Sequence, residues 1–491
     1  MKKFLFETRK LLRKLLHAAF YKQLSILSTS LCTFACSLHT VEDFPKPLSD
    51  IPDHYSNTRL PTDSETLLDI PWWHAYNDEV LNSLMTASLT SNFSLKAVWN
   101  KLEQSEAINR AANADLLPFF DARGETSAEK GKTTDGDPEV SYTAKATRIG
   151  AQLSYEVDLW KRNASFVNAQ ESETEGSRAD YESAALLLTG RVAELWIRAQ
   201  EQKSLLKLLQ KQGTLGYTLL KLTKSRFKVG RGSALEVFQQ EQQLNSTLSE
   251  LPVATSAFQQ TLNQLAVLIG LPPASVSRKK IAGRIPELPP FPNLIPPVAL
   301  LDSRPDLRAF RARLKGAQFQ IASAVANRLP RLNIELSYDF RAASVADLFT
   351  GFAARILGGM VLPVFDGGKQ KAEVALLQST TDEIHNLFSH SFLVALEDVE
   401  NAITAEQFQK QLIDRLHEEM RTAEAALKQS KGRYIHGLSS YLEVVLAVQS
   451  LQTLERRLLA EQREILLARN KLYLALGGSW TQMLPLKVEG A

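Results

Sequence analysis

The chain has 491 residues, of which 44% are hydrophobic and 23% charged, and its formal net charge is +3. This apolar content excludes an intrinsically disordered chain, and no glycine period indicates a fibre. The first 35 residues hold seven lysines and arginines and one glutamate, so they carry +6 and the remaining chain carries −3. A slightly acidic body excludes the basic surface typical of a nucleic-acid-binding protein.

Residues 1–35 have the pattern of a secretory signal peptide, a basic start followed by an apolar stretch too short to span a bilayer of about 30 Å. The chain's two cysteines, Cys32 and Cys36, lie at its end. Cys36 follows the small residue Ala35, as at a lipoprotein cleavage site, so we expect a multiply acylated N-terminal Cys36. The alternative is an unmodified cysteine near a conventional cleavage site, because the residues before Ala35 depart from the usual lipoprotein pattern.

The mature chain is a duplication. Residues 226–244 align without gaps to residues 433–451, with eight of nineteen positions identical. Further matches extend the similarity over far more than a solenoid unit, so each copy is a domain-sized half. The predicted segments after the signal peptide are an N-terminal extended segment (36–75), the first repeat (76–270), a linker with eight prolines (271–297), the second repeat (298–480) and a C-terminal tail (481–491).

Near the end of the extended segment, Trp72 and Trp73 are predicted to be packing or interface anchors. At the start of the second repeat, Pro305 falls in the first turn of a predicted helix, with Ser303 as its N-cap.

Each repeat contains two segments in which apolar and polar residues alternate with period two. They are 119–128 and 148–159 in the first repeat, and 331–341 and 352–362 in the second. Strands of about 9–11 residues with one apolar and one polar face can cross a bilayer in a barrel, although half-exposed strands of a soluble sheet alternate in the same way. Four strands cannot close a membrane barrel, so spanning strands require oligomerisation, and three chains would supply twelve.

Long helices follow the strands. Proline is absent between Pro138 and Pro252 and between Pro363 and Pro485, and both windows are rich in strong helix formers. Helices of about 40–60 residues would be about 60–90 Å long, which favours coiled-coil packing. Each window is interrupted once, inside the duplicated motif.

The interruption predicts a helical hairpin with a tight tip in each repeat. Gly230 and Gly437 supply the turn, and a Ser-x-x-Glu capping box follows each glycine, Ser233–Glu236 and Ser440–Glu443. One such device is common in helical proteins, but its repetition at matched spacing favours two equivalent hairpins.

No catalytic or metal-binding motif is present in the sequence. It contains no phosphate-binding loop, dinucleotide fingerprint, His-Glu-x-x-His pair or nucleophile elbow. The scattered histidines, such as His385, His390 and His417, are better explained as solvent-facing helix residues. We therefore expect a non-enzyme without cofactor or metal.

Seven motifs resemble those of the TolC-like outer-membrane efflux proteins, specifically the lipoprotein outer-membrane factors of the OprM and NodT type. They occur in the family's order over almost the whole mature chain: Cys36-Ser-Leu, Tyr155-Glu-Val-Asp-Leu-Trp, Ser303-Arg-Pro-Asp-Leu, Ala326-Asn-Arg-Leu-Pro-Arg-Leu, Leu362-Pro-Val-Phe-Asp-Gly-Gly, Arg433-Tyr-Ile-His-Gly and Leu476-Gly-Gly-Ser-Trp.

The resemblance implies a mixed α and β fold. A homotrimer would form a twelve-stranded outer-membrane barrel, a long α-helical barrel crossing the periplasm, and an equatorial region from the terminal and mid-chain segments. The chain would be a lipid-anchored bacterial outer-membrane protein and a gated exit duct. Its partners would be a periplasmic adaptor and an inner-membrane pump of the RND type.

In the family, the hairpin tips contact the adaptor. Carried over to this sequence, the tip residues are Val229, Gly230, Ser233, Gly437 and Ser440. Members similar to OprM have an acidic ring at the closed periplasmic end, just before the Arg-Tyr of the second tip.

This chain is basic at the corresponding positions. The candidate gate residues are Lys224, Lys428, Lys431 and Arg433. A basic constriction would favour anions; alternatively, these side chains face solvent and other residues form the gate.

The sequence thus predicts the passive exit channel of a tripartite efflux system for small molecules such as drugs or toxic compounds. Two alternatives stay open. One is the exit channel of a type I polypeptide secretion system, which uses a similar fold. The other is a periplasmic coiled-coil scaffold lipoprotein without a pore, against which the alternating strands argue.

Overall fold

The computed structural model describes residues 41, 46–48, 50–56, 70–133, 140–279 and 281–484. The predicted signal peptide, Cys36 and the end of the C-terminal tail lie outside the described residues. The chain divides into two compact units. Among the described residues, the strand unit comprises 41, 46, 103–133, 140–176 and 311–386, and the hairpin unit comprises 47, 48, 50–56, 70–102, 177–279, 281–310 and 387–484.

The described elements follow the same order in both halves: two helices, two strands, then two long helices. The first half contains α1 (Glu79–Ser91), α2 (Phe93–Ala114), β1 (Phe119–Thr133), β2 (Val140–Val157), α3 (Arg162–Lys228) and α4 (Ala234–Leu268). The second half contains α5 (Leu300–Ser303), α6 (Pro305–Ala326), β3 (Arg331–Ala342), β4 (Phe352–Val361), α7 (Lys369–Ile435) and α8 (Tyr441–Leu476). The mixed fold, the presence of four strands and the two hairpins are confirmed. The predicted bounds of the first two strands differ: β1 continues to Thr133 and not only to 128, and β2 begins at Val140, not 148, and ends at Val157.

The four strands form one antiparallel sheet in the order β1-β2-β3-β4. The register of β2 on β3 places Ile149 opposite Phe340 and Arg148 opposite Arg341. Since successive side chains point to opposite faces, one face is apolar along both strands and the other is polar. Within the described residues, no helix is both long and apolar enough to cross a membrane.

A carboxylate clasp joins β2 and β3 on the polar face. Asp339 accepts two hydrogen bonds from Arg148, at 2.9 and 2.6 Å, and a third from Arg341 at 3.2 Å. The Asp339 side chain lies over Gly150, where a Cβ atom would overlap it. Gly150 therefore provides the space in which the clasp forms.

Aspartates start the long helices that leave the sheet. Asp158 accepts hydrogen bonds from two backbone N–H groups in the first turn of α3, at 3.2 and 2.7 Å. Asp366 does the same around the start of α7, at 3.0 Å from Gln370 and 2.9 Å from Gly368. These backbone donors, Gln370 and then Gly368, hold the pKa of Asp366 below its usual range.

An aromatic cluster occupies the core of the hairpin unit. Trp72 stacks on Tyr473 with ring centroids 5.5 Å apart, and Trp73 meets Trp480 edge-on at 4.9 Å. Tyr76 meets the fully buried Trp196 edge-on. Trp72 and Trp73 are therefore core residues that join the N-terminal segment to α8 and to the segment after it, as predicted for packing anchors, and Tyr76 joins the same segment to α3.

Two glycines at the ends of α4 and α8 make the same contact in both halves. Gly270 has φ of 73° and lies against the carbonyl of Ser91; Gly477 has φ of 75° and lies against the carbonyl of Ser303. A Cβ atom at either glycine would overlap that carbonyl oxygen. Glycine is therefore required both by the left-handed backbone and by the close approach.

The prediction that Ser303 caps α6 is wrong. The hydroxyl of Ser303 donates to the carbonyl of Leu476 at 2.8 Å, and its own carbonyl accepts from the backbone N–H of Gly478 at 3.1 Å. Arg304 stands immediately before Pro305 instead. The hydroxyl of Ser303 therefore bonds a residue 173 positions away in the sequence and does not cap the helix.

Side chains of α3 hold the proline-rich linker by its backbone. Lys203 donates to the carbonyls of Arg278 and Ile281, and Lys207 donates to those of Ala282 and Gly283. From α8, the buried Arg469 pairs with Glu406 and donates to the carbonyl of Pro289. All of these donors bond backbone carbonyls of the linker. The path of the linker therefore depends little on the identity of its side chains.

Candidate gate at the hairpin tips

The two hairpin tips have the same backbone. At the first, Gly230 donates to the carbonyl of Phe227 at 3.0 Å, and the next residue donates to the carbonyl of Arg226 at 2.9 Å. At the second, Gly437 donates to Tyr434 and the next residue to Arg433, at 3.0 and 2.8 Å. With φ of 71° and 74°, Gly230 and Gly437 complete Schellman motifs, as predicted for tight turns.

An arginine side chain adds a further hydrogen bond across each tip. The guanidinium of Arg226 donates to the carbonyl of Arg231 at 3.4 Å, and that of Arg433 donates to the carbonyl of Leu438 at 3.3 Å. In each tip, the arginine's backbone carbonyl accepts a hydrogen bond from the residue after the glycine, and its guanidinium donates one to the carbonyl of that same residue. Arg433, predicted as a gate residue, is engaged within its own hairpin.

The predicted capping boxes differ between the tips. Ser233 accepts from the backbone N–H of Glu236 at 3.3 Å, which confirms the cap of α4. Ser440 makes no side-chain capping bond, so that prediction is wrong. The start of α8 is anchored instead by Tyr441, which is 1% exposed and packs against Tyr434.

A tyrosine of the second hairpin contacts the first. The hydroxyl of Tyr434 donates to a carboxylate oxygen of Glu236 at 2.8 Å, and the guanidinium of Arg226 lies 4.5 Å from the centre of the Tyr434 ring. Burial and the bond to Glu236 raise the pKa of Tyr434 to about 12. The hydroxyl therefore keeps its proton at neutral pH and remains a donor.

Tyr441 makes the next contact along the hairpins. Its hydroxyl donates to the side-chain oxygen of Gln240 at 2.7 Å, and the amide of Gln240 donates to the carbonyl of Gly216 at 3.0 Å. Gln240 is 1% exposed. A buried glutamine at a helix interface needs such partners, because an unpaired amide would cost free energy.

Further from the tips, glutamines continue this series between α4 and α8. Gln449 donates to Gln243 at 2.5 Å, and Gln243 donates to Gln452 at 3.0 Å. Beyond them, Arg456 pairs with Glu250. We call the whole series the polar ladder: Glu236, Gln240, Gln243, Glu250, Tyr434, Tyr441, Gln449, Gln452 and Arg456.

The apolar contacts beside the polar ladder form a small cluster that includes Leu219, Leu427, Val444 and Val448. The two hairpins are therefore joined both by hydrogen bonds and by apolar burial. Because polar groups that separate can bond water instead, such an interface loses less free energy on opening than an apolar one.

The remaining predicted gate cations differ in their surroundings. Lys224 pairs with Glu241 of the same hairpin at 3.5 Å, and both side chains are about half exposed. On α7, Lys428 is exposed and Lys431 half-buried. That these cations form a constriction stays a prediction.

All five predicted adaptor-contacting residues are exposed at the tips: Val229, Gly230, Ser233, Gly437 and Ser440. Val229 is 69% exposed. Their contact with an adaptor stays a prediction. Among the described residues, no group of three or more potential ligand side chains is placed to hold a metal ion.

The contacts between the hairpins were not predicted from the sequence. The duplicated motif does carry a signal: Tyr434 and Tyr441 stand where the first copy has Phe227 and Ala234. Hydroxyls present in one copy alone indicate positions where the halves have different neighbours. Glu236, whose side chain was expected to serve its own helix cap, is the partner of one of them.

Comparison with known proteins agrees with this architecture. The family model described as outer membrane efflux protein matches residues 84–271 and 297–478. The pyoverdine export outer membrane protein OpmQ of Pseudomonas putida is 27% identical, over 94% of this chain and 98% of that protein. SilC of Salmonella typhimurium, described as a probable outer membrane lipoprotein, is 22% identical over 94% and 100%. The outer-membrane channel OprN superposes with a TM-score of 0.84 at 21% identity, over 90% and 99%.

Proposed function

The chain belongs to the outer membrane efflux protein family, and we propose that it is the exit duct of a tripartite efflux system for small molecules. The family match over both halves carries this proposal, and the two-faced sheet supports it. The test is conductance of the purified protein in planar bilayers, together with drug and toxicant susceptibility of a deletion strain. Stable conductance and restored resistance on complementation are expected; a protein that forms no channel would contradict the proposal.

The working form in this proposal is a homotrimer. β1 and β4 are the outer strands of the described four-stranded sheet, and open strand edges are not tolerated in lipid. Three chains would pair β4 of one protomer with β1 of the next and close twelve strands. The detergent-corrected mass of the extracted protein should equal three chains. A monomer, or release from membranes without detergent, would contradict it.

The partners in this proposal are a periplasmic adaptor and an energised inner-membrane pump of the RND type. Exposure of both tips supports an adaptor contact there. A photo-crosslinking residue at Val229 should capture a periplasmic protein in cells, whereas one at Tyr217, also exposed but on the body of α3, should capture much less. Equal capture at the two positions would contradict a contact specific to the tips.

For the gate we propose a basic constriction that includes Lys428 and Lys431 and favours anions. Pairing of Lys224 with Glu241, and of Arg433 with its own tip, leaves these two lysines as the main candidates. The reversal potential across a salt gradient should indicate anion preference, and the double change to glutamine should reduce it. Cation preference of the unaltered protein would favour the alternative, in which the lysines face solvent.

We also propose that Cys36 is the acylated N-terminus. The relative described as a lipoprotein supports this assignment. Mass spectrometry of the mature N-terminal peptide should show a multiply acylated cysteine, and Cys36→Ser should abolish it. A free thiol at Cys36 would contradict the proposal.

A further inference from the structure

Strands β1 and β2 continue beyond the other two strands of the sheet. Pairing of β2 with β3 ends at Thr147 opposite Ala342. Pairing of β1 with β2 continues for seven more residue pairs, from Ser127 opposite Ala146 to Thr133 opposite Val140. We call these two segments, 127–133 and 140–146, the outer ribbon.

The outer ribbon carries a lysine cluster on one face. Lys145 lies opposite Ala128, and Lys130 and Lys132 occupy the next two positions on that face of β1. By strand alternation and register, this is the face that carries Ile149 and Phe340 further along the sheet. The lysines therefore continue the apolar face of the sheet, not its polar face.

The charge on this face has one sign. Apart from the three lysines, the described residues of the outer ribbon on this face are alanine, serine and threonine. The ribbon's glutamate, Glu129, lies on the opposite face, where it accepts a hydrogen bond from Tyr142 at 2.9 Å. Lys130, Lys132 and Lys145 are all exposed.

An aromatic band lies just before the lysines on the same face. Tyr338 stacks on Phe352 at 5.2 Å and meets Phe340 edge-on at 5.4 Å, and Phe349 adjoins Phe340 at 5.1 Å. Aromatic girdles mark the membrane–water interfaces of outer-membrane barrels. Lys145 is four residues beyond Ile149, about 13 Å along the strand. Lys130 and Lys132, opposite Thr143 and Ser141, lie about 7 and 13 Å further out. Lys145 is thus the lysine next to the apolar band, and the other two continue outward from it.

We propose that Lys130, Lys132 and Lys145 form a binding surface for the phosphate groups of the glycolipid in the outer leaflet. This rests on the proposed function, which places the sheet in the outer membrane with the helices on the periplasmic side. The ribbon is at the end of the sheet opposite to the one from which α3 and α7 leave. Lysines near an anionic membrane surface gain free energy from each headgroup charge that they approach, and three on one face act together.

A lipid occupant fits better than a dissolved anion. The surface is an extended face of a two-stranded ribbon, so it offers a row of ammonium groups and no enclosed pocket for a small ion. An apolar face continues directly from it, and this face would contact the acyl chains of the same lipid. The bound molecule should therefore need both phosphates and chains.

The experiment measures binding of purified lipid A to the detergent-solubilised protein by native mass spectrometry. The triple variant K130Q/K132Q/K145Q should bind at least about tenfold more weakly, as should the unaltered protein with dephosphorylated lipid A. The matched control K101Q/K211Q/K410Q, which removes three exposed lysines elsewhere, should bind as the unaltered protein does. The triple change to arginine keeps the charge and should retain binding, which separates loss of charge from misfolding.

Three results would overturn the proposal: undiminished binding by the triple glutamine variant, equal binding of dephosphorylated lipid A, or displacement of lipid A by millimolar inorganic phosphate. The last would indicate a free-anion site. Conductance is recorded for the same preparations. Normal conductance with unselective lipid binding would refute only the lysine surface, whereas lipid binding without conductance would refute only the exit-duct function.

Discussion

Tyr434, near the end of α7, donates its hydroxyl to Glu236, in the first turn of α4, at 2.8 Å. The two residues are 198 positions apart and belong to different repeats. This bond therefore joins the two hairpins immediately beside both tips. We propose that the gate of this exit duct opens by separation of the two hairpins, in which case the bond must break.

The change Tyr434→Phe removes that bond and keeps the ring. A hydrogen bond to a charged group contributes about 1.5–3 kcal/mol, so the closed state should lose about that amount and the open fraction should rise about tenfold or more. Single-channel recording measures the open fraction. Tyr217→Phe, which removes an exposed hydroxyl from α3, is the control and should leave the open fraction unchanged. An unchanged open fraction in Tyr434→Phe would contradict a role of the bond in closure.

The same bond has a defined pH dependence. Since the folded pKa of Tyr434 is raised to about 12, above the value near 10 of a free tyrosine, the hydroxyl stabilises the closed state fully below about pH 10. That contribution is lost as the pH rises through about 12. Between pH 6 and 9 the difference in open fraction between Tyr434→Phe and the unaltered protein should therefore stay constant. A marked change of that difference within this range would mean that another group titrates at the link.

The glutamine pair of the polar ladder should control how easily the hairpins separate. Replacing Gln452 by leucine leaves the side-chain N–H of Gln243 without its acceptor, and replacing Gln243 leaves the side-chain oxygen of Gln452 without its donor. Either change leaves a polar group unpaired in a buried interface and should destabilise the closed state by about 1–3 kcal/mol. Replacing both gives an apolar contact that holds the hairpins together, so the double variant should open less often than either single variant. Recording all four proteins completes a double-mutant cycle. Additive effects would contradict direct coupling of the pair.

What the sequence predicted depended on local pattern. Alternation located all four strands, and the duplicated glycines located both tips, because strand faces and helix turns are set by neighbours a few residues away. Ser303 was misassigned because its hydroxyl bonds Leu476, 173 residues away. The Tyr434–Glu236 bond was missed for the same reason. In both cases the partner is far away in the sequence and close only in the folded chain. A local sequence pattern therefore cannot predict the contact.

Gly270 and Gly477 occupy matched positions of the two repeats, 207 residues apart in the sequence, and the structure gives the reason for their match. Alanine at either position would combine a left-handed backbone with an overlap on the carbonyl of Ser91 or Ser303. Each change should therefore cost more than about 1–2 kcal/mol, the usual cost of strain alone. Gly432→Ala is the control, since Gly432 lies inside α7 with open space around it; there alanine should stabilise by up to about 1 kcal/mol. Thermal unfolding of the purified proteins measures all three. Tolerance of alanine at Gly270 and Gly477 would mean that the helix ends can rearrange.

Asp366 should make the start of α7 sensitive to acid. Its pKa is lowered because the backbone N–H groups of Gln370 and Gly368 donate to its carboxylate. A carboxylate with a lowered folded pKa stabilises the fold above its unfolded pKa of about 4, and this contribution is lost as the pH falls through the lower folded value.

In Asp366→Asn the amide oxygen can still accept from the backbone but carries no charge. The difference in Tm between the unaltered protein and Asp366→Asn should therefore be largest near pH 7 and shrink below about pH 4. Asp382→Asn, at an exposed position inside α7, should show no such trend. A difference that stays constant from pH 7 to pH 3 would mean that the charge of Asp366 does not stabilise the helix.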